Sequence, residues 1–367
     1  MTSFLLLFAT TLAALLSSLL LMPLVIRLSH NRKWYDVPDK RKIHTGLIPR
    51  LGGVGMFLSV VVVAILSSIL SLQMTGDRGF LQIRHLFSLA GFSLVFCVGL
   101  YDDFRNLQAL PKLSIQIVAG AIMAAGGFTI SKISLPYLGT ISLGIFAYPF
   151  TILWLVGISN ALNLVDGMDG LAGGIAAFAA LSMGIIAVIQ RQVVTAMLAF
   201  TLFGSIVGFL AFNFPPAKIF MGDCGSLFLG FALAFIPLMG ISKAASFSTL
   251  IIPITLLTIP IIDTFAAIIR RLRAGRSIAS PDKDHIHHKL LEMGLNERKI
   301  LFFLYGFCFY LSIVAITSVA LPRQANVYFI LIVWVGSLLG YYFLDFIKEK
   351  KKISSSAEIH EKKSSAS

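Results

Sequence analysis

Apolar residues in this chain come in runs long enough to cross a membrane, one after another from end to end. A spanning helix needs roughly 20 mainly apolar residues. Eleven segments meet that description, at about 4–26, 51–72, 85–101, 111–127, 147–161, 170–189, 193–212, 224–241, 247–269, 300–321 and 326–347. Only 13% of the 367 residues are charged while 57% are hydrophobic, and the mean hydropathy is +0.88. A soluble domain carries about 25% charged residues. This pattern excludes an ordinary soluble enzyme, a disordered chain and a disulfide scaffold. It predicts an all-α polytopic membrane protein of about eleven transmembrane helices. Residues 1–347 form one domain, and the Lys- and Ser-rich tail 348–367 is expected to be disordered.

Details of the runs add features to this frame. The fifth is short, and the ninth contains Pro253 and Pro260, so a kink or break is expected there. Between the fourth and fifth, TISKISLPYLGTISLG alternates and turns at Gly139, which reads as a small hairpin on the outer, periplasmic surface. The first run has no basic residue before it, so it lacks the charged start of a signal peptide and is expected to stay as a span. Cys97, Cys224 and Cys308 lie in or beside apolar runs without metal or disulfide spacing and read as packing residues.

Net charge +13 would point to nucleic acid in a soluble protein. In a membrane protein it reads as topology and contact with anionic lipid, so no nucleic-acid partner is expected. Of the 30 Lys and Arg residues, 24 fall in one alternate set of loops together with the tail. By the positive-inside rule that set is cytoplasmic, which puts the N-terminus outside and the C-terminus inside. Of the 17 acidic residues, only Asp77 falls in an outer loop. Acids do not set topology, so their bias points to a cytoplasmic site that handles a metal or a polyanion.

Five segments on that side carry chemistry. In GLYDDFRNLQALPKL, Asp102 and Asp103 stand where the third helix leaves the membrane. Adjacent carboxylates repel unless a cation or base lies close, so they are either a solvated helix end or a catalytic pair, with Lys112 holding phosphate. In SNALNLVDGMDGLAGG, Asn160, Asn163, Asp166 and Asp169 recur every three residues among glycines. Asp169 is in part an N-cap for the sixth helix; the four oxygen-bearing side chains together suit a hard cation such as Mg²⁺, with Mn²⁺ as its substitute. In NFPPAKIFMGDCGSLFLGF, Asp223 opens the eighth helix between glycines, as an N-cap or as a metal ligand bridging to phosphate.

The longest loop, RRLRAGRSIASPDKDHIHHKLLEMG, crowds His285, His287 and His288 into four residues. It has no zinc spacing and better suits a diphosphate. Arg270, Arg271 and Arg273 read as membrane anchors, and Arg276, nearer the histidines, as a substrate contact. Before the second helix, WYDVPDKRKIHTGLIPRLGGVGMF gathers Lys40, Arg41, Lys42, His44 and Arg50. Most of these are anchors by position; Lys42 and His44 are the substrate-binding candidates, and the P-R-x-G-G run at 49–53 is the part a loop does not need. Asp263, inside the ninth helix, is costly in hydrocarbon and so functional by default, unless it merely pairs with a nearby arginine.

With PRLGG (49–53), DD (102–103), NALNLVDGMDGLAGG (160–174), FMGDCGSL (221–228) and HIHH (285–288) in this order, the chain resembles the polyprenyl-phosphate N-acetylhexosamine-1-phosphate transferases, of the glycosyltransferase family 4 type. The resemblance covers nearly the whole chain. It implies eleven helices facing the cytoplasm, a Mg²⁺ ion, a broken ninth helix and a homodimer in the bacterial inner membrane. By motif it implies Asp223 and Asn163 at the metal, and Asp102 and Asp103 as the catalytic pair. Asp166 and Asp169 would line the nucleotide and metal region, and His285–His288 would hold the sugar-nucleotide diphosphate.

The implied reaction moves a sugar-1-phosphate from a UDP-sugar to undecaprenyl phosphate and releases UMP. It is the first membrane step of a surface-glycan pathway such as lipopolysaccharide or cell-wall biogenesis. HIHH preceded by SPDKD is similar to the branch that uses UDP-GlcNAc; the branch that uses UDP-MurNAc-pentapeptide more often has three consecutive histidines, a run that Ile286 interrupts here. Other UDP-N-acetylhexosamines stay open as donors. Two other classes fit less well. A secondary transporter places its acids near the bilayer midplane and often shows inverted repeats, whereas here all but Asp263 lie at helix ends and no repeat is seen. A membrane scaffold leaves the acidic motifs without a task.

Overall fold

The computed structural model describes residues 2–35, 47–75, 82–135, 139–240, 248–277 and 284–364. Its elements are helices α1 (Thr2–Arg32), α2 (Gly52–Thr75), α3 (Arg84–Arg105) and α4 (Ala109–Ala125), strands β1 (Lys132–Leu135) and β2 (Gly139–Ser142), then helices α5 (Ala147–Val165), α6 (Leu171–Ile189), α7 (Val193–Asn213), α8 (Gly222–Met239), α9 (Ser248–Leu256), α10 (Thr258–Arg273), α11 (Ile286–Glu292), α12 (Glu297–Ser318) and α13 (Arg323–Ser364).

The protein is thus an all-α polytopic membrane protein. Among the described residues, nine helices are long and apolar enough to cross a membrane, or ten if the bent pair α9/α10 counts as one span. Each of the eleven apolar runs has its helix; the run left out of that count is α4, which at 17 residues is shorter than the others. At 1.5 Å per residue it is about 26 Å long, just under the roughly 30 Å hydrocarbon core.

The ninth run is bent by 80°. The break falls at Leu257, whose backbone leaves helical geometry at φ −103°, ψ 23°. Its cause is Pro260, which has no N–H to donate to Leu256 and whose ring crowds that carbonyl. The hairpin is present too, with Ile133 opposite Ile141 and Leu135 opposite Gly139. Gly139 is the first residue of its second strand, and the turn at 136–138 lies outside the described residues. At the C-terminal end, α13 continues through Ser364, where a disordered tail was expected. Lys, Glu and Ala in 348–364 are good helix formers, and a preceding helix supplies the nucleus that a short segment lacks.

Helix α8 is the centre of the bundle. Nearly all of its residues are buried, and α2, α3, α5 and α6 pack around it. Apolar patterning alone does not join helices in lipid, so close backbone approach and hydrogen bonds must do it. Both are seen. Trp154 and Ser159 of α5 donate to the carbonyls of Ala234 (2.9 Å) and Leu227 (2.8 Å) of α8. On the other side, α2 and α3 come so near that a Cβ on Gly99 would lie 2.6 Å from the Asp223 carbonyl, and one on Gly53 would strike the Gly225 backbone. Deeper in the bundle, Phe57 stacks on Phe96 (4.1 Å between centroids) and meets Phe228 edge-on (5.2 Å).

These contacts set a test of the packing. Gly53→Val has no room against a backbone, so it is expected to cost about 3 kcal/mol or more and to lower the thermal midpoint of the detergent-purified protein by several degrees. Unchanged melting would contradict the close α2–α8 contact.

Candidate active site

The acidic motifs meet at one end of the bundle because each lies at a helix terminus. Asp102 and Asp103 end α3, Lys112 lies in the first turn of α4, Asn163 ends α5 and Asp223 begins α8. Lys112 is the hub. Its Nζ donates to Asp102 Oδ2 at 2.8 Å and to Asp223 Oδ2 at 2.5 Å. The second oxygen of Asp102 accepts the Leu107 backbone N–H, which turns the chain from α3 into α4. Arg50 completes the cationic side, with Nη2 3.9 Å from Asp103 Oδ1 and 3.9 Å from Asp223 Oδ1.

The adjacent aspartates, expected as a catalytic pair, do different things. The Asp103 side chain is 1% exposed, and its two oxygens accept the backbone N–H groups of Asp223 (2.7 Å) and Cys224 (3.0 Å). Helix α8 has no side-chain cap of its own at Met221, so Asp103 caps it from another helix. Asp102 is the member of the pair that stays at the accessible side, against Lys112. Asp223 is not an N-cap; it sits inside the first turn of α8.

The Asn163–Asp169 stretch is laid out by its turn. Gly170, at φ +75°, holds the cap position of α6, and its N–H goes to Asn213 Oδ1 at 2.9 Å. Asp169 therefore does not cap α6, as the sequence suggested. Its Oδ2 reaches across to the Ala217 N–H at 2.9 Å and pins the loop before α8. Asn163 donates to Ser226 Oγ at 2.8 Å, which leaves its carbonyl oxygen as a neutral ligand. Asn160 is used in packing: its amide donates to Gln116 Oε1 of α4 and to the Val156 carbonyl.

Asp166 is the unusual member. Among the described residues nothing donates to its carboxylate, while burial first, and then the nearby charge of Asp223, push it up to about 7. The positive charge of Arg50 works the other way, and carboxylates this close together repel unless a cation stands among them.

The histidine segment reaches this centre. His285 precedes α11, and His287 lies over Gly167, where a Cβ would fall 2.7 Å from its ring. Burial and the neighbouring His288 and His285 hold His287 down at about 3, so its ring is neutral at pH 7. His288 follows, its ring centroid 4.3 Å from that of His287. Asp263 pairs not with an arginine but with His285, at 2.8 Å. Arg276 is exposed beyond α10, and among the described residues no hydrogen bond or ion pair joins its side chain to the histidines. Lys42 and His44 lie outside the described residues.

Some of the architecture was absent from the sequence reading. Asn213 ties Gly170 to the Ile219 carbonyl (2.8 Å), and Tyr305 donates to the Gly170 carbonyl at 2.6 Å while its ring covers Gly174. An asparagine at the end of an apolar helix was the available signal for the first; nothing local marks Tyr305.

The donor set can be tested against a cation. Among the described residues no three His, Cys, Asp or Glu side chains form a ready-made metal cage. Mg²⁺ asks for less: one or two carboxylates plus substrate phosphates. Asp166, Asp223 and the Asn163 carbonyl fit that need.

Comparison with known proteins agrees with this geometry. Residues 85–241 match the model of Glycosyl transferase family 4. The chain is 35% identical, over 93% of its length and 95% of the relative's, to the probable undecaprenyl-phosphate N-acetylglucosaminyl 1-phosphate transferase of Bacillus subtilis. It is 34% identical to the decaprenyl-phosphate N-acetylglucosaminephosphotransferase of Mycobacterium leprae, over 73% of this chain and 72% of that one. A phospho-N-acetylmuramoyl-pentapeptide-transferase of Latilactobacillus sakei matches at 40% over a shorter stretch, 56% of this chain and 64% of its own. A near-full-length match to one such enzyme, with carboxylates gathered at one end of an apolar helical bundle, has one meaning: the chain is a phosphosugar transferase of the polyprenyl-phosphate N-acetylhexosamine-1-phosphate transferase family.

Proposed function

We propose that the protein transfers N-acetylglucosamine-1-phosphate from UDP-GlcNAc to undecaprenyl phosphate, giving undecaprenyl-diphosphate-GlcNAc and UMP. The reaction takes place on the cytoplasmic face of the bacterial inner membrane and begins a surface glycan. The observation that carries this reading is Lys112, held between Asp102 and Asp223 at the helix ends. Two of the three N–H donors of its ammonium are used by these carboxylates, so the third can reach an incoming phosphate without breaking either pair. The sugar rests on the Bacillus subtilis relative, which matches nearly end to end and is named for N-acetylglucosamine. Another UDP-N-acetylhexosamine, or UDP-MurNAc-pentapeptide as the Latilactobacillus sakei relative's name suggests, is the alternative donor. Orientation with the N-terminus outside follows the basic loops, and a homodimer is kept from the family resemblance.

Phosphoryl transfer needs in-line positioning and charge neutralisation more than covalent help. Asp223, Asp166 and Asn163 would hold Mg²⁺. That ion, when bound, would neutralise the diphosphate and stabilise the departing UMP. Lys112 and Arg50 add fixed positive charge on the same side, and neutral His287, with His285 and His288, lines the edge where the diphosphate lies. The acceptor phosphate oxygen attacks the sugar-bearing phosphorus; a new P–O bond forms, the P–O bond to UMP breaks, and UMP leaves as the anion.

Asp102 has one oxygen on a backbone N–H and the other on Lys112, so it is a poor nucleophile and acts by holding Lys112 and taking any acceptor proton. Direct transfer predicts no UMP without the lipid acceptor. With enzyme, UDP-GlcNAc and Mg²⁺ alone, UMP should stay at background; addition of undecaprenyl phosphate should start turnover, and EDTA should stop it. A stoichiometric burst of UMP without lipid would show a phospho-aspartate route instead. Turnover that survives EDTA would remove the metal from the account.

A further inference from the structure

Asp263 is the acid that the sequence places well inside a helix, and the reaction above gives it no part. Its carboxylate is fully buried and takes hydrogen bonds from three directions. His285 Nδ1 lies 2.8 Å from Oδ2, while the Ile286 backbone N–H (3.0 Å) and the Tyr341 hydroxyl (3.2 Å) donate to Oδ1. With Nδ1 of His285 committed to this carboxylate, Nε2 is the ring atom left for other partners.

Tyr341 is itself engaged beyond Asp263. Its hydroxyl accepts from Lys289 Nζ at 2.9 Å and from Arg270 at 3.3 Å, and the Lys289 ammonium lies 4.1 Å from its ring centroid. One carboxylate thereby joins α10 just past its break, the start of α11, and the last span, α13. Two residues beyond His285, His287 lies against Gly167 beside Asp166. The segment that Asp263 anchors is therefore the one that reaches the carboxylate centre.

We infer that Asp263 is a positioning residue: through His285 and the first turn of α11 it fixes the histidine segment against the nucleotide diphosphate, and Tyr341 ties that segment to the final span. A partner that fixes one ring nitrogen of a histidine sets both its tautomer and its direction, the service a buried carboxylate gives many working imidazoles. The inference rests on the proposed use of a UDP-sugar, and its test separates the two.

The test uses the full-length protein in detergent or nanodiscs, with folding checked by thermal unfolding. The variants are Asp263→Asn, His285→Gln, the two combined, and Tyr341→Phe. The readouts are KM and kcat for UDP-GlcNAc and, independently of turnover, calorimetric binding of UDP. Asp263→Asn should raise KM and weaken UDP binding about tenfold, the worth of one charge-assisted hydrogen bond, with a smaller change in kcat. The double variant should fall well short of the summed single effects, because a large part of what Asp263 does passes through that ring. Tyr341→Phe should shift KM the same way by less.

Additive effects in the double variant, or a folded Asp263→Asn with unchanged KM and UDP binding, would overturn the inference and leave Asp263 as packing. If Asp263→Asn fails to fold, Tyr341→Phe decides: a raised KM supports the inference and an unchanged one overturns it. Wild-type protein that binds UDP but turns over no donor would sink the proposed reaction alone, and loss of UDP binding in Asp263→Asn would still support the positioning role.

Discussion

Asp223→Asn is expected to abolish UMP release, by about 10³-fold or more, in a protein that still inserts and folds. Asp223 joins Lys112, Arg50 and Asp166. Its Oδ2 accepts from Lys112 at 2.5 Å, its Oδ1 lies 3.9 Å from Arg50, and its charge acts more strongly on Asp166 than any other. The amide is nearly the same size, so packing survives, and Lys112 keeps Asp102 as a partner. What disappears is the negative charge that would hold a cation and orient Lys112. Turnover assays beside thermal unfolding separate chemistry from folding. Near-normal turnover in the variant would remove Asp223 from the site.

Asp103→Ala should lose activity by a different route. Because Asp103 accepts the Asp223 and Cys224 N–H groups, its removal uncaps the central helix. The missing cap costs about 1–2 kcal/mol, and an N–H left buried without a partner adds about 1–3 kcal/mol. Melting should fall clearly, and turnover should fall with it because Asp223 moves with the first turn of α8. Asp103→Asn, which keeps one carbonyl acceptor, should melt between the wild type and Asp103→Ala. Melting of Asp103→Ala at the wild-type temperature would contradict the capping role and return Asp103 to the catalytic pair.

Much of this was legible in the residues, for physical reasons. Runs of about 20 apolar residues have few structures open to them in lipid, so the helices could be read directly. Proline chemistry announced the break between α9 and α10. Acids at helix ends on one side located the centre. Less legible was how each carboxylate is used, because that depends on contacts between residues far apart in the chain. Asp102 and Asp103 are neighbours in sequence, yet one faces Lys112 ten residues on and the other caps a helix 120 residues away.

Asp169 shows the same limit. Its position before α6 suggested a local cap, but positive φ at Gly170 turns the chain and sends the side chain to Ala217. Asp263 invited pairing with the arginines that follow on its own helix, whereas the bend after α9 and the return of α13 bring His285 and Tyr341 to it instead. The α4 run marks the limit of length as a criterion. A helix of 17 residues packed against α3 and α5 can be held by those neighbours, and apolar length alone does not decide whether it spans.

The central claim is the reaction, and purified protein tests it most directly. UMP release and the mass of the lipid product would be followed with undecaprenyl phosphate, Mg²⁺ and, in parallel, UDP-GlcNAc, UDP-GalNAc or UDP-MurNAc-pentapeptide. The account predicts turnover with UDP-GlcNAc that EDTA and Asp223→Asn both abolish, and a lipid heavier by one N-acetylhexosamine-1-phosphate. Turnover with only another donor would keep the chemistry and replace the sugar; no UMP from any donor, by protein shown to be folded, would contradict the account.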